Sequence, residues 1–378
     1  MKILVPFGTR PEIVKLASVV GALRAVGHDV RTLATGQHGD PKLAGDFFTD
    51  LSLVPDDCWV LPDGEAERVG ALLSGAYREL AVHRPDVVMV LGDTHTVPLF
   101  ALAARRACVP VVHVEAGLRS FNERSLEEVH RRCVAAVASI HFAPTSLCRT
   151  MLEAEGVESR RISVVGNPVT DALRLVGPSR RSISDRQGVV VTAHRATNVD
   201  DPERLASLVR CILLLADEVG AVTFPVHPRT ASRLAEFNLR GMLESHRGID
   251  LTGPLRYPAM LAAIAGARVV VTDSGGLQEE ASWYGVPVVV LRRSTPRWEG
   301  VMSATTTLVG LDADLAVAAA SRFATIAEQE RVAEVPCPYG DGHVGERIAG
   351  EMSTDAVGEL LRLDEPDFSV GLPAILGG

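Results

Sequence analysis

A chain of 378 residues with 47% apolar and 22% charged residues exceeds one comfortable hydrophobic core and suits two domains. A net charge of −9 excludes a broad nucleic-acid surface, but it leaves room for a local anion site built by a few arginines and helix ends. No apolar run reaches the ~20 residues of a membrane span, and the cysteines lack paired or zinc-ligand spacing; this reads as a cytoplasmic protein with reduced thiols, no metal and no membrane partner.

The opening run MKILVPF reads as a first strand over 2–7, not a leader. Gly8-Thr9-Arg10-Pro11-Glu12 follows, with Pro11 suited to the first position of a helix. Over 12–26, Ile13, Leu16, Ala17, Val20 and Leu23 share one helical face. Continuous Val/Ile/Leu runs predict further strands at 28–34, 86–91, 109–114, 139–143 and 161–165. After a polar stretch at 179–187 the pattern restarts at 188–193, 221–226, 249–252, 268–273 and 286–291. Strands of this kind are buried on both faces, which means parallel sheets covered by helices. Two such series predict an α/β protein of two doubly wound, Rossmann-like domains facing a central cleft. We place them at 1–168 and 169–359, hinged near 168–187, with residues from about 360 to 378 crossing back to the first.

Nearly every predicted strand stops at a polar, Gly-bearing or charged cluster, which is where open α/β sheets bind ligands. Ser274-Gly275-Gly276 lies between a strand and a helix; glycines permit close approach, and the helix start favours a phosphate. Glu280, one turn into that helix, suits a vicinal diol; together they describe a ribose attached to a diphosphate. Arg10, Lys15 and Arg297 are candidate cations for the same ligand. Asp93, Glu115 and Glu127 converge from neighbouring segments; mutual repulsion should raise at least one of their pKa values and suit acid–base work, with Arg119 and Arg131 offsetting the charge. His194 and His227 close second-domain strands and face them across the cleft, whereas His95, His113 and His141 read as structural.

These motifs resemble the UDP-N-acetylglucosamine 2-epimerases. GTRPEIVK (8–15), GDTHT (92–96), HVEAGLRS (113–120), GNPVTDAL (166–173), TAHR (192–195), TDSGGLQEEA (272–281) and YGDGHVGERI (339–348) occur in family order over nearly the whole chain. The resemblance implies the paired-domain arrangement also seen in GT-B glycosyltransferases, a homodimer, and no cofactor. It implies exchange between UDP-GlcNAc and UDP-ManNAc by elimination of UDP and re-addition through a 2-acetamidoglucal. Carried over by position, Asp93, Glu115 and Glu127 form the acid–base set, and His194 stabilises departing UDP. Arg10, Lys15, Arg131, His227, Ser274, Gly275, Gly276, Glu280 and Arg297 become substrate or UDP contacts.

Leu126-Glu127-Glu128-Val129-His130-Arg131 keeps the acids and arginine of the family's PEExNR but not its proline and asparagine. Gly36-Gln37-His38-Gly39-Asp40-Pro41 stands where relatives carry GQHRxM, part of a second, activating UDP-GlcNAc site; Gly39 replaces its arginine and Asp40 adds negative charge, so activation by substrate is not expected here. A hydrolysing relative releasing ManNAc, a GT-B transferase and a non-catalytic sugar-nucleotide sensor are the rival readings; the carboxylate trio speaks against the last two.

Overall fold

A computed structural model describes residues 1–36 and 53–365. The first sheet holds β1 (Lys2–Phe7), β2 (Asp29–Ala34), β3 (Asp57–Cys58), β4 (Val87–Leu91), β5 (Val111–Val114), β6 (Ile140–Ala143) and β7 (Ile162–Val164). Its order is β3-β2-β1-β4-β5-β6-β7, all parallel. The second holds β8 (Val189–Thr192), β9 (Val222–Pro225), β10 (Ile249–Thr252), β11 (Val269–Thr272), β12 (Val288–Val290) and β13 (Thr306–Leu308). Its order is β10-β9-β8-β11-β12-β13, again all parallel. These are two Rossmann-like α/β domains with parallel sheets. The valine-rich strands are buried on both faces under helices, as their lack of alternation requires.

Each sheet reverses its order at one place, between β1 and β4 in the first and between β8 and β11 in the second. Such switch points open a crevice at the carboxyl ends of the strands. Gly8-Thr9 and Gly92-Asp93 stand at the first; Ala193-His194 and Asp273-Ser274 stand at the second. In the second, the Thr192 and Thr272 hydroxyls bond to each other at 2.7 Å, joining the strand ends.

Two strands escape the hydrophobic pattern. β3 is two residues long and β13 three, both at sheet edges, too short to show a period. The return to the first core also begins well before residue 360. The helix Val344–Met352 lies on the helix Arg10–Ala25, and Val344, Ile348, Met352, Val357 and Leu361 are part of the first core. A Cβ on Gly345 would lie 2.7 Å from the Ser18 carbonyl oxygen, so only glycine lets these helices approach so closely. Asp171 accepts from the Val344 and Gly345 amides (2.8 and 2.7 Å), capping the returning helix from the hinge. The outgoing and returning crossings touch: the Asn167 amide donates to the Tyr339 carbonyl at 2.6 Å.

The cysteines are free thiols, and no described helix is long and apolar enough to cross a membrane. Gln37 to Pro41 and residues 366–378, which carried the expectations about activation and part of the C-terminal return, lie outside the described residues.

Candidate active site

The loop after β1 is held by Glu12. Its Oε2 accepts from the Gly8 amide (3.0 Å), the Thr9 amide (2.7 Å) and the Thr9 hydroxyl (2.8 Å), and its Oε1 from the Thr94 hydroxyl after β4 (3.0 Å). The two loops of the first switch point are thereby tied to one carboxyl, which burial pushes up to about 7 despite these donors. Arg10 opens the helix at this loop, with Pro11 beside it.

Three turns of physics meet at Glu115. It follows β5 with a φ of 65°, a left-handed conformation that costs a non-glycine residue energy and is kept only where its surroundings enforce it. Its Oε1 accepts from Lys15 Nζ at 2.6 Å, Arg297 Nη2 at 2.9 Å and Asn167 Nδ2 at 3.0 Å. Burial alone would raise this carboxyl; Lys15 and Arg297 outweigh it and hold it down at about 2. Glu279, fully buried, sits opposite: its Oε1 accepts from Arg297 Nε and Asn167 Nδ2 (2.9 Å each), and Lys15 lies 3.5 Å from its Oε2. Burial, with Glu115 close by, pushes Glu279 up. This buried network joins both domains through the hinge residue Asn167.

Asp93 follows β4 and accepts from Arg131, at 2.9 Å from Nε and 2.7 Å from Nη2. Arg131 is fixed in turn by Glu128 at 2.6 Å, and Glu128 accepts the Ser120 amide and hydroxyl (2.7 and 2.9 Å). Glu127 is only half-buried. Burial works to raise it, but the Ser125 hydroxyl (2.5 Å) and Arg195 Nη1 (2.9 Å) hold it down. Arg195 comes from the second domain, so this bond spans the cleft.

On the second side, fully buried Asp273 organises the β8 loop. It accepts from the His194 and Arg195 amides (3.1 and 2.9 Å) and from Asn198 Nδ2 (3.1 Å). His194 Nδ1 stands 3.1 Å from Asp273 Oδ1, which makes Nδ1 the proton-bearing nitrogen and leaves Nε2 as the acceptor, on a ring that is 39% exposed. The His227 ring lies 5.4 Å away and caps its own helix by accepting the Arg229 amide. The helix Gly275–Tyr284 begins after Ser274 with no side-chain cap, so its first amides keep their capacity for an anion. A Cβ on Gly276 would meet open space, whereas one on Gly275 would lie 3.1 Å from Arg297 Nη1. Glu280 is buried beside Tyr257; burial and Glu279 push it up to about 7, and its Oε2 accepts no hydrogen bond from the described residues.

Of the sequence-selected residues, Asp93 and the start of the helix Arg10–Ala25 stand at the first switch point and His194 and Ser274 to Gly276 at the second, while Glu115, Glu127, Arg131, His227 and Arg297 come from neighbouring elements, and several do other work than expected. Lys15, Arg131 and Arg297, read as ligand cations, are each paired with carboxylates. Arg119 does not offset the trio: it turns away to Glu155, at 2.8 Å from Nε and 2.5 Å from Nη2. Crowding does not raise Glu115, where Lys15 and Arg297 outweigh it, or Glu127, where the Ser125 hydroxyl and then Arg195 do; the raised carboxyls are Glu12, Glu279 and Glu280. Sequence reasoning missed Glu12, Asn167, Arg195, Asp273 and Glu279 as organisers. All five stand inside motifs quoted above, Glu12 in GTRPEIVK, Asn167 in GNPVTDAL, Arg195 in TAHR, and Asp273 and Glu279 in TDSGGLQEEA, but nothing in those motifs separates an organiser from a ligand contact.

A family profile described as UDP-N-acetylglucosamine 2-epimerase matches residues 22–353. The UDP-N-acetylglucosamine 2-epimerase of Methanocaldococcus jannaschii is 36% identical over 363 residues, covering 92% of this chain and 98% of its own. The crystal structure of that organism's UDP-GlcNAc 2-epimerase with UDP-GlcNAc and UDP superposes with a TM-score of 0.82 at 35% identity, covering 93% of this chain and 99% of its own. A UDP-2,3-diacetamido-2,3-dideoxy-D-glucuronate 2-epimerase of Pseudomonas aeruginosa is 33% identical over 364 residues, covering 92% of this chain and 98% of its own.

Proposed function

Since the chain belongs to the UDP-N-acetylglucosamine 2-epimerase family, we propose that it interconverts UDP-GlcNAc and UDP-ManNAc. The C2 proton passes to a protein base while the C1–O bond to UDP breaks, which leaves 2-acetamidoglucal and UDP. A proton then returns to C2 from the opposite face as UDP re-forms the bond at C1. The exchange is redox-neutral and needs no external oxidant or reductant. One observation carries this reading: carboxylates at the first switch point and an uncapped helix start with an oriented histidine at the second meet across one seam, bridged by Arg195–Glu127 and Arg297–Glu115.

In this reading Asp93, Glu115 and Glu127 handle the protons at the sugar, with Glu115 acting through Oε2, since Oε1 is occupied by three donors. Ser274, Gly275 and Gly276 take the diphosphate. His194 Nε2, with Asp273 holding the ring, meets the charge that develops on departing UDP when the imidazole is protonated. Glu280 Oε2 accepts the ribose hydroxyls. Lys15, Arg131, His227 and Arg297 border the ligand, and Arg10, whose side chain lies outside the described residues, is assigned to it by its position in the sequence. The paired domains work as a GT-B-like clamp, divided near residue 168, in a homodimer as the family resemblance implies.

The test is incubation with UDP-GlcNAc alone in D2O, followed by NMR. Deuterium at C2 of both epimers, with UDP still attached, is the expected result. Free ManNAc and UDP would replace the reversible reading by the hydrolysing one, and an unchanged substrate would reject both.

A further inference from the structure

Three of the cleft cations selected from the sequence are already engaged: Arg131 by Asp93 and Glu128, and Lys15 and Arg297 by Glu115 and Glu279; the Arg10 side chain lies outside the described residues. Arg195, too, is paired, with Glu127. Arg292 is different. It stands just past β12, where its backbone is pinned beside the end of β11. The Leu291 amide donates to the Thr272 carbonyl (2.9 Å), Asn198 Nδ2 to the Leu291 carbonyl (3.1 Å), and the Gly310 amide to the Arg292 carbonyl (3.2 Å). Its guanidinium has no ion pair or hydrogen bond among the described residues, and Nη1 is sealed from solvent with its N–H unused. Burial first, then Arg195 and Arg297, hold its pKa down at about 10; Glu127 and Asp273 oppose this and do not balance it. The charged neighbours it senses are all residues of the cleft.

Leaving a buried guanidinium N–H unused costs stability; Arg131, Arg195 and Arg297 each reach a carboxylate, although Arg195 also leaves its Nε unused, whereas Arg292 reaches none among the described residues. Asp273, the acid at the adjoining strand end, is taken up by His194, Arg195 and Asn198. We propose that Arg292 is a phosphate ligand: its free N–H groups receive the diphosphate of the bound nucleotide beside the helix start at Gly275. A guanidinium offers a phosphate paired, charge-assisted hydrogen bonds, and here the anion supplies the counter-charge that the protein withholds. The proposal rests on the nucleotide-sugar reading above and adds a binding residue to it.

Calorimetric titration of the full chain with UDP, UMP and uridine tests it, in the wild type, Arg292→Met and Arg292→Lys. Arg292→Met should weaken UDP by at least about tenfold and leave uridine unchanged, with UMP affected less than UDP. Arg292→Lys should fall between wild type and Arg292→Met, because an ammonium keeps the charge but loses the fork. The unliganded Arg292→Met protein should melt no lower than wild type, which separates a ligand-binding arginine from a structural one. UDP affinity within twofold of wild type, or an equal loss for UDP and uridine, would overturn the proposal while leaving the reading of the cleft intact. A wild type that binds no UDP would overturn that reading and this proposal together. If Arg292→Met does not fold, Arg292→Lys decides: unchanged UDP affinity rejects the role, and weakened UDP with unchanged uridine supports it.

Discussion

Glu115 and Glu280 respond to pH in opposite directions. Glu280 sits at about 7 in the folded protein, against 4.5 for the free side chain. Between those values the folded state keeps a proton that the unfolded state has lost, so its contribution to stability falls as pH rises from 4.5 through 7. Glu115 is held at about 2; its contribution is present above 4.5 and is lost as pH falls towards 2. Glu280→Gln should therefore raise the melting temperature of the unliganded protein at about pH 8 by roughly 2–4 °C while weakening UDP about tenfold. Scanning calorimetry at about pH 5 and pH 8 checks the first half, and a melting temperature that drops at both would show that Gln cannot replace the carboxyl against Tyr257. Arg195 makes a second case. Removing it by Arg195→Gln leaves only the Ser125 hydroxyl as the main group opposing burial at Glu127, so that carboxyl should rise and the acid limb of kcat/KM move to higher pH. An acid limb that stays in place would detach Glu127 from that ionisation. Asp93→Asn and Glu127→Gln should each lower turnover by about a hundredfold and leave UDP binding near wild type; normal turnover in both would make these acids structural.

The helix Gly275–Tyr284 puts structural and functional demands on its first turn at different positions. Gly276 faces open space in the unliganded protein, so Gly276→Ala should fold at least as well, by roughly 0.5–1 kcal/mol, because alanine restricts the unfolded chain and favours the helix. The same methyl would stand where a phosphate must approach, and UDP affinity should fall by at least about tenfold. Unchanged UDP affinity would remove this helix start from the phosphate site. The placement of this helix was legible in the sequence, because Val269-Val270-Val271 can only be a buried strand and Asp273 to Gly276 interrupt it. The other long valine strands were legible for the same reason. β3 and β13 were not, being edge pairings set by neighbours and not by their own two or three residues. Ion pairs were the least legible layer. Arg297 looks like a ligand cation in sequence, yet it serves Glu115, 182 positions away, and Glu279. Nothing in the local pattern distinguishes it from Arg292, which has no such partner.

At the scale of the whole molecule, the two domains are joined by the paired crossings at Asn167 and Tyr339, by charged bonds over the cleft, and by the apolar contacts of Val14 and of Phe121 with Trp298. The helix Val344–Met352 gives the first domain a debt to the far end of the chain. On the ribosome, β1 to β7 emerge first, but Ile13, Leu16 and Val20 share a core with Val344, Ile348 and Met352, which are made after the second domain. The second domain, whose cores draw chiefly on residues between 172 and 332, has all its parts before the first one does. Synthesis order and completion order are therefore reversed, and the first domain waits with an apolar groove uncovered while the second condenses. A chain ended at residue 343 should keep a cooperatively melting second domain and lose protection of the first, read as fast amide exchange over 3–30 alongside slow exchange over 189–290. For a nascent chain, the interval between making the second domain and releasing the helix Val344–Met352 is the time in which that groove is open to a chaperone or to a neighbouring copy on the same message.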